Sequence, residues 1–335
     1  MKEQKTNTIT IDMIAKELGV ASSTVSRAIS GKGRIGQQTR RKILDYIEDN
    51  GYKPATLSCP NKRLKTENIA VAIPAFSDSW HLPFFQRCLL GVCDVAQSMD
   101  YDVMVVSRTN DSIASIERIV ASRKIDGMIL TRALINDEAI DFLKKKDVPF
   151  VVIGSVDEED VYQVDSDNLI GCRELTAYLS IIGFKKIGLI GGNKKYKVTL
   201  DRYQGYIQGL KASGLEEDPD IVFFDVFSDS EIKQTVKKLI RKGVNCIACM
   251  DDYICTRVLK ILREVEDGRH LGIRVATFYE TGVELFEGFD VYSLRYNPNE
   301  LGAEAARKLF RVINKKDVTY KTKLGYEVIM RKPGG

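Results

Sequence analysis

The sequence predicts an α/β protein: a small three-helix helix-turn-helix head at the N-terminus, followed by a larger two-lobed body built on parallel sheets. Three observations predict it. At 335 residues the chain is too long for one ordinary core and calls for two or three compact units. Its first part carries three short helical patterns together with a surplus of positive charge. From Asn68 onward, β-rich runs alternate with amphipathic stretches, the pattern of sheets flanked by helices.

In the head, Thr10 is a good N-cap, and Asp12 suits the positive end of the helix that follows. Ile11, Ile14, Ala15 and Leu18 recur at helical spacing, and Gly19 supplies a stop. After the tight Leu18-Gly19-Val20 turn a second helix begins near Ser22. Val25, Ala28 and Ile29 face inward there, leaving Ser22, Ser23, Ser26 and Arg27 outward. A third helix runs from about Gln37 to Asp49, with Ile43, Leu44 and Ile47 on its buried side and Gly51 closing it. Two short helices around a three-residue turn form a helix-turn-helix, whose second helix enters a DNA major groove through its N-terminal residues. Hydroxyls on its outward face reach phosphates or base edges, and Arg27 has the fork that matches guanine O6 and N7. A plain packing helix with a polar outer face fits the same pattern. Gly31-Lys-Gly33-Arg-Ile-Gly36 also spells the dinucleotide fingerprint, but it follows a helix where that motif needs a strand.

Charge separates the head from the rest. Residues 1–66 hold 13 Lys/Arg against 6 Asp/Glu, and residues 67–335 hold 37 against 40. A basic head on a near-neutral body is the footprint of a nucleic-acid module joined to something else.

In the body, strands are expected at Ile69–Ile73, Val103–Ser107, Gly127–Thr131, Phe150–Gly154, Ile187–Gly191, Ile221–Asp225, Cys246–Met250 and Val275–Phe278. Helices are expected between them, at Ile113–Arg123 and Ser230–Lys242 among others. Eight such strands suit two similar open sheets of four or five strands each. Ligands of such folds sit outside the C-terminal ends of the strands, which here places a site between the lobes.

Composition narrows the function classes. The chain is 44% apolar and 29% charged, and every apolar run is shorter than a membrane span needs. Met1 to Gly19 lacks the apolar segment of a secretory signal, so a cytoplasmic protein is expected. Seven cysteines, scattered and odd in number, do not suggest a disulfide framework. Cys246-Ile-Ala-Cys249 lies inside an apolar run and reads as buried strand thiols, with redox or metal chemistry as the alternative. His81 and His270 are the two histidines, and neither has a nucleophile or metal-ligand spacing. Gly191-Gly192-Asn193-Lys194 does not fit a phosphate loop, and no G-x-S-x-G elbow occurs. No enzyme, cofactor or metal site is therefore expected.

The run from Thr10 to Ser30, with Thr-Val-Ser-Arg at 24–27, followed by Thr39-Arg40 and Gly51-Tyr52-Lys53-Pro54, resembles the head of the lac repressor and galactose repressor family of bacterial transcription regulators. The body resembles it too, in family order: Pro83-Phe84-Phe85, Ile125-Asp126-Gly127, Asp167-Asn168-x-x-Gly171, Gly183-Phe184-x-x-Ile187, Arg202-x-x-Gly205-Tyr206, Asp252, and Asn297-Pro298 with Leu301-Gly302. The resemblance implies a body like the periplasmic sugar receptors, with residues 8–56 as DNA-binding head, 57–67 as hinge linker and 68–335 as effector-binding and dimerisation domain. It implies a homodimer on double-stranded operator DNA, controlled by a sugar-like small molecule and more often a repressor than an activator. In the DNA-binding set Thr10 joins Ser22, Ser23 and Arg27, which would contact bases, and Thr24 and Ser26, which would contact phosphates. Arg202 and Asp252 are the implied effector contacts; taken alone, each reads as a surface ion-pair residue, and their register at strand ends turns the reading toward a site.

Three departures from the family pattern matter. In the linker, Cys59 stands where an Arg is expected and Asn61 where a Leu is expected. Pro60 disfavours a hinge helix, leaving Leu57 or Leu64 as the wedge into the minor groove. Lys62, Arg63 and Lys65 either contact phosphates or form a solvated basic stretch. The family's Phe-Asp-Asn appears as Phe278-Tyr279-Glu280, so Tyr279 and Glu280 enter the candidate pocket in place of a sugar-binding Asp. The loop before Pro83 is long, and its Trp80 either stacks on a sugar face or packs under the lobe. Phe84 and Arg132 complete the candidate pocket.

Overall fold

The computed structural model describes residues 10–30, 35–49, 65–75, 82–266, 272–280, 286 and 290–330. Residues Gly31 to Arg34, Leu57, Pro60, Leu64 and Trp80 lie outside the described residues, and with them the hinge-helix question. The chain divides into two compact units between Leu64 and Lys65.

The first unit is the head. α1 (Ile11–Leu18) starts at Thr10, whose side chain accepts the Met13 N–H, and ends at Gly19 in the left-handed region, φ +64°. α2 (Ser22–Ser30) and α3 (Gln37–Asp49) follow. Ile14, Ala15, Val25, Ala28 and Ile43 make the core, with Ile11, Leu18, Ile29, Tyr46 and Ile47 packed around it. Leu44 departs from expectation: it is 40% exposed. At 100° per residue it is turned off the face that Ile43 and Ile47 share, and Tyr46 fills the space instead.

The second unit is the body, with two sheets of six strands where four or five were expected. Its strands are β1 (Asn68–Pro74), β2 (Asp102–Arg108), β3 (Gly127–Leu130), β4 (Phe150–Ile153), β5 (Gln163–Ser166), β6 (Ile187–Ile190), β7 (Val222–Phe223), β8 (Cys246–Cys249), β9 (Arg274–Glu280), β10 (Val291–Arg295), β11 (Lys321–Leu324) and β12 (Glu327–Met330). Lobe one has the order β11-β5-β4-β3-β1-β2 and lobe two β12-β10-β9-β8-β6-β7. All pairs are parallel except β10 with β12. The expected eight are β1 to β4 and β6 to β9. The four not expected are short or polar: β11 reads Lys-Thr-Lys-Leu and is half-exposed, and β12 is a largely exposed edge. An edge strand buries little, so it leaves little apolar signature.

Helices cover both faces of each sheet. α4 (Leu82–Ser98) and α11 (Pro298–Ile313) pack on one face of lobe one, α5 (Ala114–Ala121) and α6 (Glu138–Lys145) on the other. α7 (Asn168–Ile181) and α8 (Lys197–Ala212) pair on lobe two, opposite α9 (Asp229–Arg241) and α10 (Asp252–Glu266). α4 and α11 meet through glycine: a Cβ on Gly91 would lie 1.9 Å from Asn299 O, and one on Gly302 2.0 Å from Cys88 O. The chain passes between lobes three times, after β5, after β10 and after β11. No helix among the described residues is long and apolar enough to cross a membrane.

Candidate functional site

Two surfaces carry the chemistry, one in each unit. In the head, α2 turns Val25 and Ala28 into the core, which leaves Ser23 and Arg27 exposed and Ser22, Thr24 and Ser26 half-buried. The five residues therefore share the outer side of one helix. Ser22 is partly committed inside the head: its hydroxyl donates to Asp12 Oδ1 at 2.6 Å, tying the start of α2 to α1. Its oxygen lone pairs remain for a donor. Thr10 is exposed at the start of α1, where its hydroxyl already serves as the cap.

In the body, the C-terminal ends of strands from both lobes surround one cleft of about 820 Å³, part of it open to solvent. Lobe one contributes Phe84 and Phe85 from α4, Thr131 and Arg132 after β3, Gly154 after β4, and Asp165 and Ser166 at the end of β5. Lobe two contributes Asn168, Tyr196, Thr199, Arg202, Met250, Asp251, Tyr279 and Tyr296.

Arg202 is the best-placed of the expected contacts. It is 9% exposed, its Nε donates to Asn168 Oδ1 at 2.9 Å and its Nη1 to the Met250 carbonyl at 2.8 Å. Its guanidinium sits over the Tyr279 ring, 5.3 Å from the centroid. Two fixed bonds aim the fork, and Nη2 has no hydrogen-bond partner among the described residues. Arg132 lies on the opposite wall between aromatic rings, 4.2 Å from the Tyr196 centroid and 5.0 Å from that of Phe85. Tyr279 and Tyr296 lie nearly parallel with centroids 6.0 Å apart, and Phe84 meets Tyr279 edge-on. The buried hydroxyls of both tyrosines have no hydrogen-bond partner among the described residues. The aromatic rings beside the Arg202 guanidinium suit a ligand with apolar ring faces and a polar edge.

Two expected contacts are elsewhere. Glu280 is fully buried at the end of β9, where it accepts from Ser293 Oγ at 2.6 Å and Arg295 Nε at 2.8 Å. The adjacent strand takes its carboxylate, and it does not line the cleft. Asp252 opens α10 one residue beyond the wall, and Asp251 stands on the wall in its place while accepting the Ile254 N–H.

Sequence reasoning missed Asp165. It is 8% exposed on the cleft wall, and burial, then the nearby Asp201 carboxylate, pushes its pKa up to about 7 against the pull of the Ser166 backbone N–H, Arg202 and Asn168. The signal was present two residues before the Asp167-Asn168 motif, in a strand too short to stand out. Tyr196 was missed for a similar reason, lying in a polar loop before α8. The C-x-x-C thiols Cys246 and Cys249 are buried strand residues, and desolvation holds both far above the ordinary thiol range.

The family comparisons match these two surfaces separately. Residues 10–55 match the model of bacterial regulatory proteins of the lacI family, and residues 70–319 that of periplasmic binding proteins and the sugar binding domain of the LacI family. The HTH-type transcriptional regulator MalR of Streptococcus pneumoniae is 26% identical over 333 residues, covering 96% of this chain and 99% of that protein. The HTH-type transcriptional regulator CelR of Thermobifida fusca is 26% identical over 261 residues, 76% and 77% of the two chains. Among solved structures, a CelR–cellobiose complex superimposes with TM-score 0.71 at 24% identity, covering 97% of this chain and 100% of that one. A lac repressor structure superimposes with TM-score 0.67 at 16% identity over 96% and 98%; both agree in fold. With the family's head matched over the helix-turn-helix and its sugar-binding body over the cleft, the chain belongs to the lacI family of bacterial regulatory proteins and is a DNA-binding transcription regulator with an effector-binding body.

Proposed function

We propose that this regulator is a cytoplasmic repressor that binds a near-palindromic operator as a homodimer and changes its affinity when a sugar enters the cleft. α2 is the reading helix, with Arg27 forking onto a guanine and Ser22 and Ser23 on neighbouring base edges. Thr24, Ser26 and Thr10 hold phosphates. In the body, Arg202 grips ligand hydroxyls, the Tyr279–Tyr296 platform and Phe84 take a ring face, and Arg132 closes the other side. No catalysis is assigned to it.

The observation that carries this reading is the buried guanidinium of Arg202, held by Asn168 and Met250 with Nη2 unspent beside stacked aromatic rings. A relative named MalR and a neighbour solved with cellobiose set the first ligands to try, which are maltose and cellobiose, then glucose and its phosphate. Calorimetric titration of the full chain tests it. Saturable binding of one of these sugars is expected. Binding of a nucleobase or amino acid with no response to any sugar would overturn the effector class.

A further inference from the structure

The end of the linker is fastened to lobe one at the N-terminal ends of its strands, away from the cleft. The Thr66 N–H donates to both oxygens of the Asp126 carboxylate, at 2.8 and 3.0 Å, and the Thr66 hydroxyl donates to Oδ1 at 3.0 Å. The Glu67 N–H donates to Oδ2 at 3.1 Å. The same Thr66 hydroxyl accepts the Asn68 N–H at 3.3 Å, and Asn68 Nδ2 donates back to the Thr66 carbonyl at 3.0 Å. Between them Glu67 is held at φ +57°, in the left-handed region that non-glycine residues seldom adopt. One residue earlier, Lys65 Nζ donates to Asn314 Oδ1 at 3.0 Å.

Both anchors sit at the ends of elements whose other ends form the cleft. Asp126 immediately precedes β3, a strand of four buried residues, and Thr131 and Arg132 follow it on the cleft wall. Asn314 caps the C-terminus of α11, and Leu301 near the start of that helix lines the cleft. The two elements touch beside the anchor: a Cβ on Gly127 would lie 2.9 Å from Leu309 Cδ1 and 3.0 Å from Ile313 Cδ1. A strand hydrogen-bonded to β1 and β4 on its two sides, packed on a helix this closely, shifts as a piece.

We propose that Asp126 is a positioning residue for DNA binding: it fixes where the linker leaves lobe one and, through β3, ties that exit to the cleft wall. The chemistry requires a carboxylate. Two backbone N–H groups and a hydroxyl converge on it, and both oxygens accept. Asparagine would turn an NH2 toward one set of those donors. Asp126 itself does not line the cleft. Only the response to a sugar rests on the effector reading above; the tie between linker and cleft wall is measured without one.

Coupling between sites is reciprocal, so a duplex held by the head should alter the cleft wall. Hydrogen-exchange mass spectrometry on the sugar-free full chain, with and without a saturating duplex selected from a randomised pool, reads it in the peptide spanning residues 127–133. Exchange there should change about twofold or more on adding duplex. In Asp126→Asn, again at saturating duplex, that difference should vanish. A merely structural role would raise exchange with and without DNA alike and leave the difference intact. Should Asp126→Asn fail to fold, Thr66→Ala, which keeps the carboxylate and both backbone donors, should shrink the difference. Where a sugar binds, its effect on duplex affinity should be lost in Asp126→Asn, with calorimetric sugar affinity within about twofold of wild type. A wild-type peptide blind to duplex, a full duplex response in the variants, or sugar affinity lost along with the coupling would overturn the proposal. A failure of every sugar to bind would leave the duplex comparison standing.

Discussion

Arg27 and Arg202 are the same side chain put to two uses, and their surroundings separate them. Arg27 is exposed on the outer side of α2, where the proposed guanine contact would offset what its fork loses in ordering. Arg27→Ala should weaken binding to a selected duplex by about 1–3 kcal/mol and relax preference at one base pair, as read by mobility shift. Arg202 is buried and pre-aimed by two bonds. Arg202→Lys keeps the charge but loses the planar fork, and it should weaken effector binding at least about tenfold while sparing DNA binding without effector. Calorimetry and anisotropy on the same preparation check both halves. Arg202 was legible because it sits in an Arg-x-x-Gly-Tyr pattern. Asp165 and Tyr196 were not, because what marks them is burial and the company of the other lobe, neither of which has a local signature. Glu280 misled for the converse reason: a carboxylate at a strand end points to a ligand until the next strand supplies Ser293 and Arg295.

At the scale of elements, three head helices and eight strands were legible because each carries an apolar run or stripe in its sequence. β12 was hidden because its pairing with β10 depends on a chain that leaves lobe two after β10 and returns after β11. The helix pairs show what pattern alone does not reveal. α4 and α11 approach until the backbone at Gly91 nearly touches Asn299 and that at Gly302 nearly touches Cys88. No side chain stands between them to yield, so a methyl group must push helices apart. Gly302→Ala should cost about 3 kcal/mol or more in lobe one, seen as a lower denaturant midpoint. Gly325→Ala, where an added methyl would meet no neighbour within 4 Å, is the matched control and should cost little.

In the molecule as a whole, one chain carries both a reading helix and a ligand cleft. Backbone contacts between residues 133–135 of lobe one and 195–197 of lobe two join the two walls of that cleft. A coupling of about 1–3 kcal/mol between the two sites is the size such regulators use. The most direct measurement is selection from a randomised duplex pool by the purified chain, repeated with each sugar that binds calorimetrically. Enrichment of one near-palindromic sequence is expected, with the retained fraction changed several-fold by a binding sugar. Recovery of the pool without any sequence preference, with and without sugar, would contradict a reading helix under effector control.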